Sequence, residues 1–193
     1  MTDYPERKTK MIAILLADGF EEIEALTPLD MLRRANLDVK TVSISDVKTV
    51  VGAHKIPVIA DMTKDELDLS QLDYVIFPGG MPGAKNLDES EFTDKVIEAV
   101  TKNNGGLAAI CAAPMILGKR GILNGKKAAC YPGFEDTLLG AEISYMPAVR
   151  DGNIITARGM GAALDFAEEI ISAISGKELS EKISRAIIRE VNK

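Results

Sequence analysis

A chain of 193 residues with net charge −6, 46% hydrophobic and 27% charged residues has the make-up of one globular domain with a sizeable core. Its acidic balance, with no basic stripe, argues against nucleic acid as a partner. No run approaches the ~20 apolar residues that span a bilayer, and two cysteines make no disulfide framework in so long a chain, so a cytoplasmic protein without a membrane partner is expected.

Along the chain, apolar runs of strand length alternate with longer segments of helical period. Residues 1–9 are polar and read as a flexible tail within a single domain spanning 1–193. Basic residues there precede an apolar stretch, as in a secretory signal, but the stretch is short and the acidic DGFEE follows it, so no signal is read. MIAILLA (11–17) is a buried strand, and DGFEEIEALTPLDMLRRAN after it is a helix. LDVKTVSIS (37–45) is a second strand, and VVGAHKIPVIAD (50–61) is an extended hairpin. LDYVIFPGG (72–80) is a strand broken by Pro-Gly-Gly. SEFTDKVIEAVTKNNGG (90–106) is a helix with Ser90 as its N-cap and a glycine stop. LAAIC (107–111), KKAACY (126–131) and NIITAR (153–158) are further strands, with helices near 114–120, 162–175 and 178–191. This order predicts an α/β fold: a doubly wound, mostly parallel sheet with helices on both faces.

In such sheets ligands bind beyond the carboxyl ends of the strands. The loops ADGFEE, PGGMPG, CAAP, YPGFE and RGMG each follow a predicted strand and are expected at that one edge. Cys111 falls where a strand turns into a helix. Such an elbow exposes the sulfur, and the helix N-terminus that follows favours a thiolate. Small neighbours at Ala108, Ala109, Ala112 and Ala113 permit the tight turn. A buried, inert thiol is the equal alternative.

Glu21, Glu22 and Glu24 supply carboxyls, of which a helix aims at most one at a given partner. One beside the thiol can trade protons with a substrate if burial raises its pKa; otherwise the three form an acidic first turn. PGGMPG can offer backbone N–H groups to a developing oxyanion, or simply connect two elements. There is no complete dinucleotide fingerprint, Walker sequence or metal-ligand cluster, so neither a cofactor nor a metal is expected. His54 is the single histidine and lies in the hairpin, which disfavours a Cys–His hydrolase built within one subunit. Cys130 reads as a packing residue rather than a resolving thiol.

Together, ADGFEEIEALTPLDMLRRA, YVIFPGGMPGAKNL, LAAICAAPMIL and IITARGMGAALDFAEEII resemble, in order, the ThiJ/PfpI family, and within it the parkinsonism-associated deglycase branch. The resemblance covers about Lys10 to Gly176. It implies a flavodoxin-like sandwich and a homodimer, with Cys111 as the nucleophile and Glu24 as the carboxyl that hydrogen-bonds it. It also implies backbone donors at Gly79, Gly80 and Ala112, with Arg158 in the loop near the site. His54 stands where the branch has an arginine approaching the neighbouring subunit's pocket. There are two departures. The protease-like branch has a histidine where this chain has Ala112, so peptidase activity is not expected; and Tyr131 replaces a histidine of the deglycase branch. With a reference pKa near ~10, a tyrosine is a poor base at neutral pH.

The implied activity is cofactor-free cysteine chemistry on reactive carbonyls. Methylglyoxal or glyoxal would be converted to a hydroxy acid, or early glycation adducts on proteins reversed. A thiolate beside a protonated Glu24 avoids two adjacent negative charges. The alternatives are an oxidative-stress sensor, whose cysteine is oxidised to sulfinic acid beside Glu24, and a scaffold whose site has decayed.

Overall fold

Alternation decides the layers. The computed structural model describes residues 11–190; the tail predicted at 1–9 lies outside the described residues. Along β1 (Met11–Leu16), Met11, Ala13 and Leu15 enter one core cluster, while Ile12, Ile14 and Leu16 enter another on the opposite face. With both faces covered, the strand reads as an unbroken apolar run, as parallel strands do.

The helix α1 (Glu22–Arg34) is followed by β2 (Val39–Ser43), β3 (Thr49–Val51), β4 (Pro57–Ile59), β5 (Met62–Thr63) and β6 (Leu72–Phe77). Next come α2 (Gly83–Asp88), α3 (Glu91–Lys102), β7 (Gly106–Ile110) and α4 (Pro114–Lys119). The chain closes through β8 (Lys127–Ala128), β9 (Glu142–Ile143), β10 (Ala148–Asp151), β11 (Ile154–Ala157), α5 (Ala163–Ser175) and α6 (Lys177–Ala186). The main sheet has seven strands in the order β10-β11-β7-β6-β1-β2-β5. It is parallel except where β10 runs against β11. The fold is the predicted flavodoxin-like α/β sandwich. Val96 and Val100 of α3 and Ile116 of α4 cover one face; Leu32 of α1 and Phe166 and Ile170 of α5 cover the other. Each such side chain, fully buried, contributes about 1.5–3 kcal/mol.

Several elements differ from expectation. KKAACY is not a strand of the main sheet: β8 pairs with β9 over two residues in a separate small sheet. The Ala129 N–H turns to the Thr156 hydroxyl (2.8 Å) instead of extending a ladder. The antiparallel edge strand β10 was not predicted, although Asp151-Gly152-Asn153 before β11 carries the hairpin signal. The short α2 was also missed. Helix α3 starts after Ser90 without a side-chain cap bond, and its left-handed stop residue is Asn104 (φ 52°), not a glycine. Helix α6 ends at Ala186, short of the predicted 191.

Because β1, β6, β7 and β11 are parallel, their carboxyl ends share one edge, where ADGFEE, PGGMPG, CAAP and RGMG emerge. The CYPGFE segment reaches that edge from the small sheet, its Tyr131 N–H donating to the Cys111 carbonyl at 2.8 Å.

Further down the same strands, the buried Tyr74 ring packs over Gly106. A Cβ on Gly106 would lie 1.9 Å from the ring's Cε2. Gly106→Ala is therefore expected to destabilise the protein by about 1–3 kcal/mol through overpacking. In a Tyr74→Val background, where the ring is gone, most of that loss should disappear; urea unfolding of the double-mutant cycle reads the difference.

Candidate active site

The strand β7 ends at Ile110, and Cys111 takes a left-handed conformation with φ 64°. That backbone is uncommon for a side-chain-bearing residue and costs about 1–3 kcal/mol, so it persists only when its surroundings over-determine it. Here they do. The Cys111 N–H donates to the Ala157 carbonyl at 2.9 Å, and its own carbonyl accepts from Tyr131. Ala112 and Ala113 are buried and small enough for the turn to sit against the sheet. The thiol is left half-buried at the loop edge.

The three glutamates after β1 do three different things. The Glu21 carboxylate caps α1, accepting from the Glu24 N–H at 2.7 Å. Glu22 turns to the β3–β4 hairpin, where its carboxylate accepts from the His54 N–H and meets the His54 Nδ1, each at 2.8 Å. Glu24 turns inward, is 1% exposed, and hydrogen-bonds the Cys111 sulfur. Its Oε2 accepts from the Gly79 N–H at 2.9 Å, and the Met160 N–H donates to the same carboxyl.

Burial pushes Glu24 up to about 7, helped by the negative charge of Glu21 and opposed by its bonds from Cys111, Gly79 and Met160. The Cys111 thiol is pushed up to about 12, first by burial and then by the charge and hydrogen bond of Glu24. The N–H groups of Ala112 and Gly80 donate to the sulfur and act the other way without prevailing. The helix expected to favour a thiolate is short and set back from the sulfur. The helix α4 is six residues long and begins three positions later. Carboxyl and thiol titrate as one coupled pair, both raised by burial.

Gly79 needs correction as well. Its N–H does not face the sulfur but is spent on Glu24, leaving Gly80 and Ala112 as the donors at the sulfur. Glycine is required at 79, since a Cβ would stand 2.5 Å from Glu24 Oε2 and 2.7 Å from Cys111 Cβ. Met160, whose N–H closes the carboxyl's set of partners, carried no side-chain signal in the sequence.

Beside the pair lies a hollow of about 460 Å³, lined by Tyr131, Pro132, Pro147, Arg158, Met160 and Asp165 among others. The Arg158 guanidinium sits 5.9 Å from the centre of the Tyr145 ring. His54 stands apart. Its bonds run to Glu22, and its ring pKa is raised by that hydrogen bond and charge. Glu21, Glu22 and His54 bring ligand atoms within 4.8 Å of one another, but Glu21 is engaged as a cap and Glu22 by His54. Cys130 is buried in the core cluster on the opposite face of the sheet from the one Cys111 packs against. Burial raises its thiol to about 11, with the charge of Glu135 adding and that of Arg158 opposing.

Known proteins share this architecture. The model described as the DJ-1/PfpI family matches residues 10–173. The dj-1beta protein of Drosophila melanogaster is 31% identical over 187 residues, covering 95% of this chain and 100% of its own. A crystal structure of Drosophila melanogaster DJ-1beta superposes with a TM-score of 0.88 at 30% identity, covering 95% of this chain and 100% of that one. A deglycase of Pyrococcus horikoshii is 29% identical over 150 residues, 76% of this chain and 89% of its own. A structure of oxidized Toxoplasma gondii DJ-1 superposes with a TM-score of 0.86 at 30% identity, covering 94% of this chain and 99% of that one.

A carboxyl raised by folding makes stability fall with pH, because the unfolded chain releases the proton first. Between about pH 4.5 and 7, the wild type should lose about 2–3 kcal/mol that Glu24→Gln does not lose. Chemical unfolding at pH 4.5, 6 and 8 reads the two slopes, and equal slopes would contradict the buried, raised carboxyl.

Proposed function

The chain belongs to the DJ-1/PfpI family, and from that premise we propose that it is a cofactor-free cysteine enzyme acting on reactive carbonyls. The observation that carries this reading is the Glu24 carboxyl, raised to about 7 and hydrogen-bonded to a thiol held in a strained elbow. The deglycase-named relative from Pyrococcus horikoshii supports the reaction class.

Ionised Glu24 takes the thiol proton as the Cys111 sulfur bonds to the aldehyde carbon of an α-oxoaldehyde. The carbonyl oxygen becomes an oxyanion within reach of the N–H groups of Gly80 and Ala112, which now donate to the sulfur. Glu24 passes the thiol's proton to that oxygen, which gives a hemithioacetal and restores the carboxylate. Glu24 then removes the hydrogen from the same carbon, giving an enediol, and returns a proton to the neighbouring carbon. The result is a 2-hydroxy thioester. Water cleaves it, freeing the hydroxy acid and the thiol. The net change is addition of one water with an internal oxidation–reduction, so no redox cofactor takes part. Since Glu24 acts from its ionised form, no thiolate has to exist beforehand. On a hemithioacetal or carbinolamine adduct, the adduct's thiol or amine leaves as the aldehyde re-forms, and the same addition of the Cys111 sulfur then accounts for deglycation.

A second reading, oxidation of Cys111 to sulfinic acid, is favoured by the Gly80 and Ala112 N–H groups at the sulfur and by the relative solved in an oxidized form. We also propose a homodimer, on the ground that Ile23 of α1 and Ile56 and Ile59 of the β3–β4 hairpin region are exposed at 47%, 52% and 77%.

For methylglyoxal, kcat/KM should rise with pH around a midpoint near 7. Glu24→Gln should lower it at least about 10²-fold, and Cys111→Ser should abolish it. Retention of activity within twofold by Glu24→Gln would sink the mechanism. Light scattering should give twice the monomer mass of 20.8 kDa; a clean monomer at working concentration would end the dimer proposal.

A further inference from the structure

The hollow next to the Cys111 loop is open to solvent and does not close around a three-carbon aldehyde. It holds about 460 Å³, whereas such a molecule needs on the order of 100 Å³, a few times the ~30 Å³ share of a liquid water. Much of its lining is apolar or aromatic. Tyr131, Pro132 and Pro147 are rigid rings, and Met160 is a polarisable side chain 54% exposed at the rim. The cation among the lining groups is Arg158, which makes no ion pair among the described residues and rests on the Tyr145 ring. Asp165, also in the lining, is bound to Arg189 at 2.6 Å.

One point connects this slot to the sulfur. The position a Cβ would occupy on Gly159 is 3.8 Å from Cys111 Sγ and 3.3 Å from Cδ2 of the Tyr131 ring. Glycine leaves that point open. The same point is 3.9 Å from Glu24 Oε1, so a substituent on a carbon bonded to Sγ has the Tyr131 ring and the Glu24 carboxyl as near neighbours. Where the family branch implied a histidine, this chain presents a phenol ring that is 52% exposed. Flat conjugated groups stack on such a ring and on a guanidinium plane; a methyl group gains little from either.

We propose that Tyr131, with Arg158, forms an aryl subsite, and that the preferred carbonyl substrates are α-oxoaldehydes whose ketone carries a flat aromatic group. This rests on the carbonyl reading above and adds the substrate class to it. The reaction balances as before: an arylglyoxal plus one water gives a 2-hydroxy-2-aryl acid. The thiol adds to the aldehyde, the hydrogen on that carbon moves to the carbon bearing the ring, and water hydrolyses the thioester.

The test compares phenylglyoxal with methylglyoxal on the full chain, using initial rates taken before phenylglyoxal reacts with arginines. The wild type should favour phenylglyoxal about tenfold or more in kcat/KM. Tyr131→Ala should cut that ratio about tenfold, mostly through KM, while Tyr131→Phe keeps it because the ring and not the hydroxyl does the stacking. A wild-type ratio near one, or an equal loss on both substrates in Tyr131→Ala, overturns the subsite. If the wild type consumes neither aldehyde, the carbonyl reading falls by itself. The subsite is then judged by binding of mandelate and lactate to Cys111→Ala, followed through the amide resonances of Gly159 and Tyr131. Mandelate binding at least tenfold tighter than lactate supports it; equal affinities overturn it.

Discussion

A carboxyl group removed from water has to be satisfied by what the chain brings to it, and the candidate site is arranged around Glu24 for that reason. Its partners come from three other segments: the Gly79 N–H after β6, the Cys111 sulfur after β7 and the Met160 N–H after β11. Without them, a buried carboxyl would carry a large desolvation penalty. With them it is still raised, because the bonds offset part of the burial and not all of it. The same group thereby ties α1 to three loops and acquires a pKa suited to moving protons near neutrality.

The loops are themselves stitched beneath that contact. The Glu21 N–H donates to the Gly79 carbonyl at 2.9 Å, and the Gly83 N–H donates to the Gly19 carbonyl at 3.2 Å. The β3–β4 hairpin braces the turn that leads into α1 from outside, through Gly19 N–H to Val51, Ala53 N–H to Phe20, and His54 to Glu22. The one histidine is therefore a brace on the site's supporting turn. Strain at Cys111 is maintained in the same way, by backbone bonds to β11 and to Tyr131 on either side.

Much of this was legible residue by residue. The unbroken apolar runs of β1, β6 and β7 announced strands buried on both faces, and the parallel order followed from the helices between them. From that order came the shared edge and its loops. Shorter elements escaped for local reasons. KKAACY has strand composition, but its backbone is claimed by the Thr156 hydroxyl and by the turn at Tyr131. Helix α1 is capped by Glu21, a residue type outside the usual capping set, so its start could not be read from the pattern.

By itself the sequence determined the fold class and the edge where the loops gather, and the family resemblance named the cysteine and carboxyl to look for there. Those depend on periodicity, on chain order and on residue types that few other arrangements could use. Only the tertiary structure decided that Glu21 caps α1 and Glu22 turns to the hairpin, and that Gly79 serves the carboxyl while Gly80 and Ala112 serve the sulfur. Burial and the direction of an N–H arise from the packing of segments distant in the chain. A string of residue types carries neither.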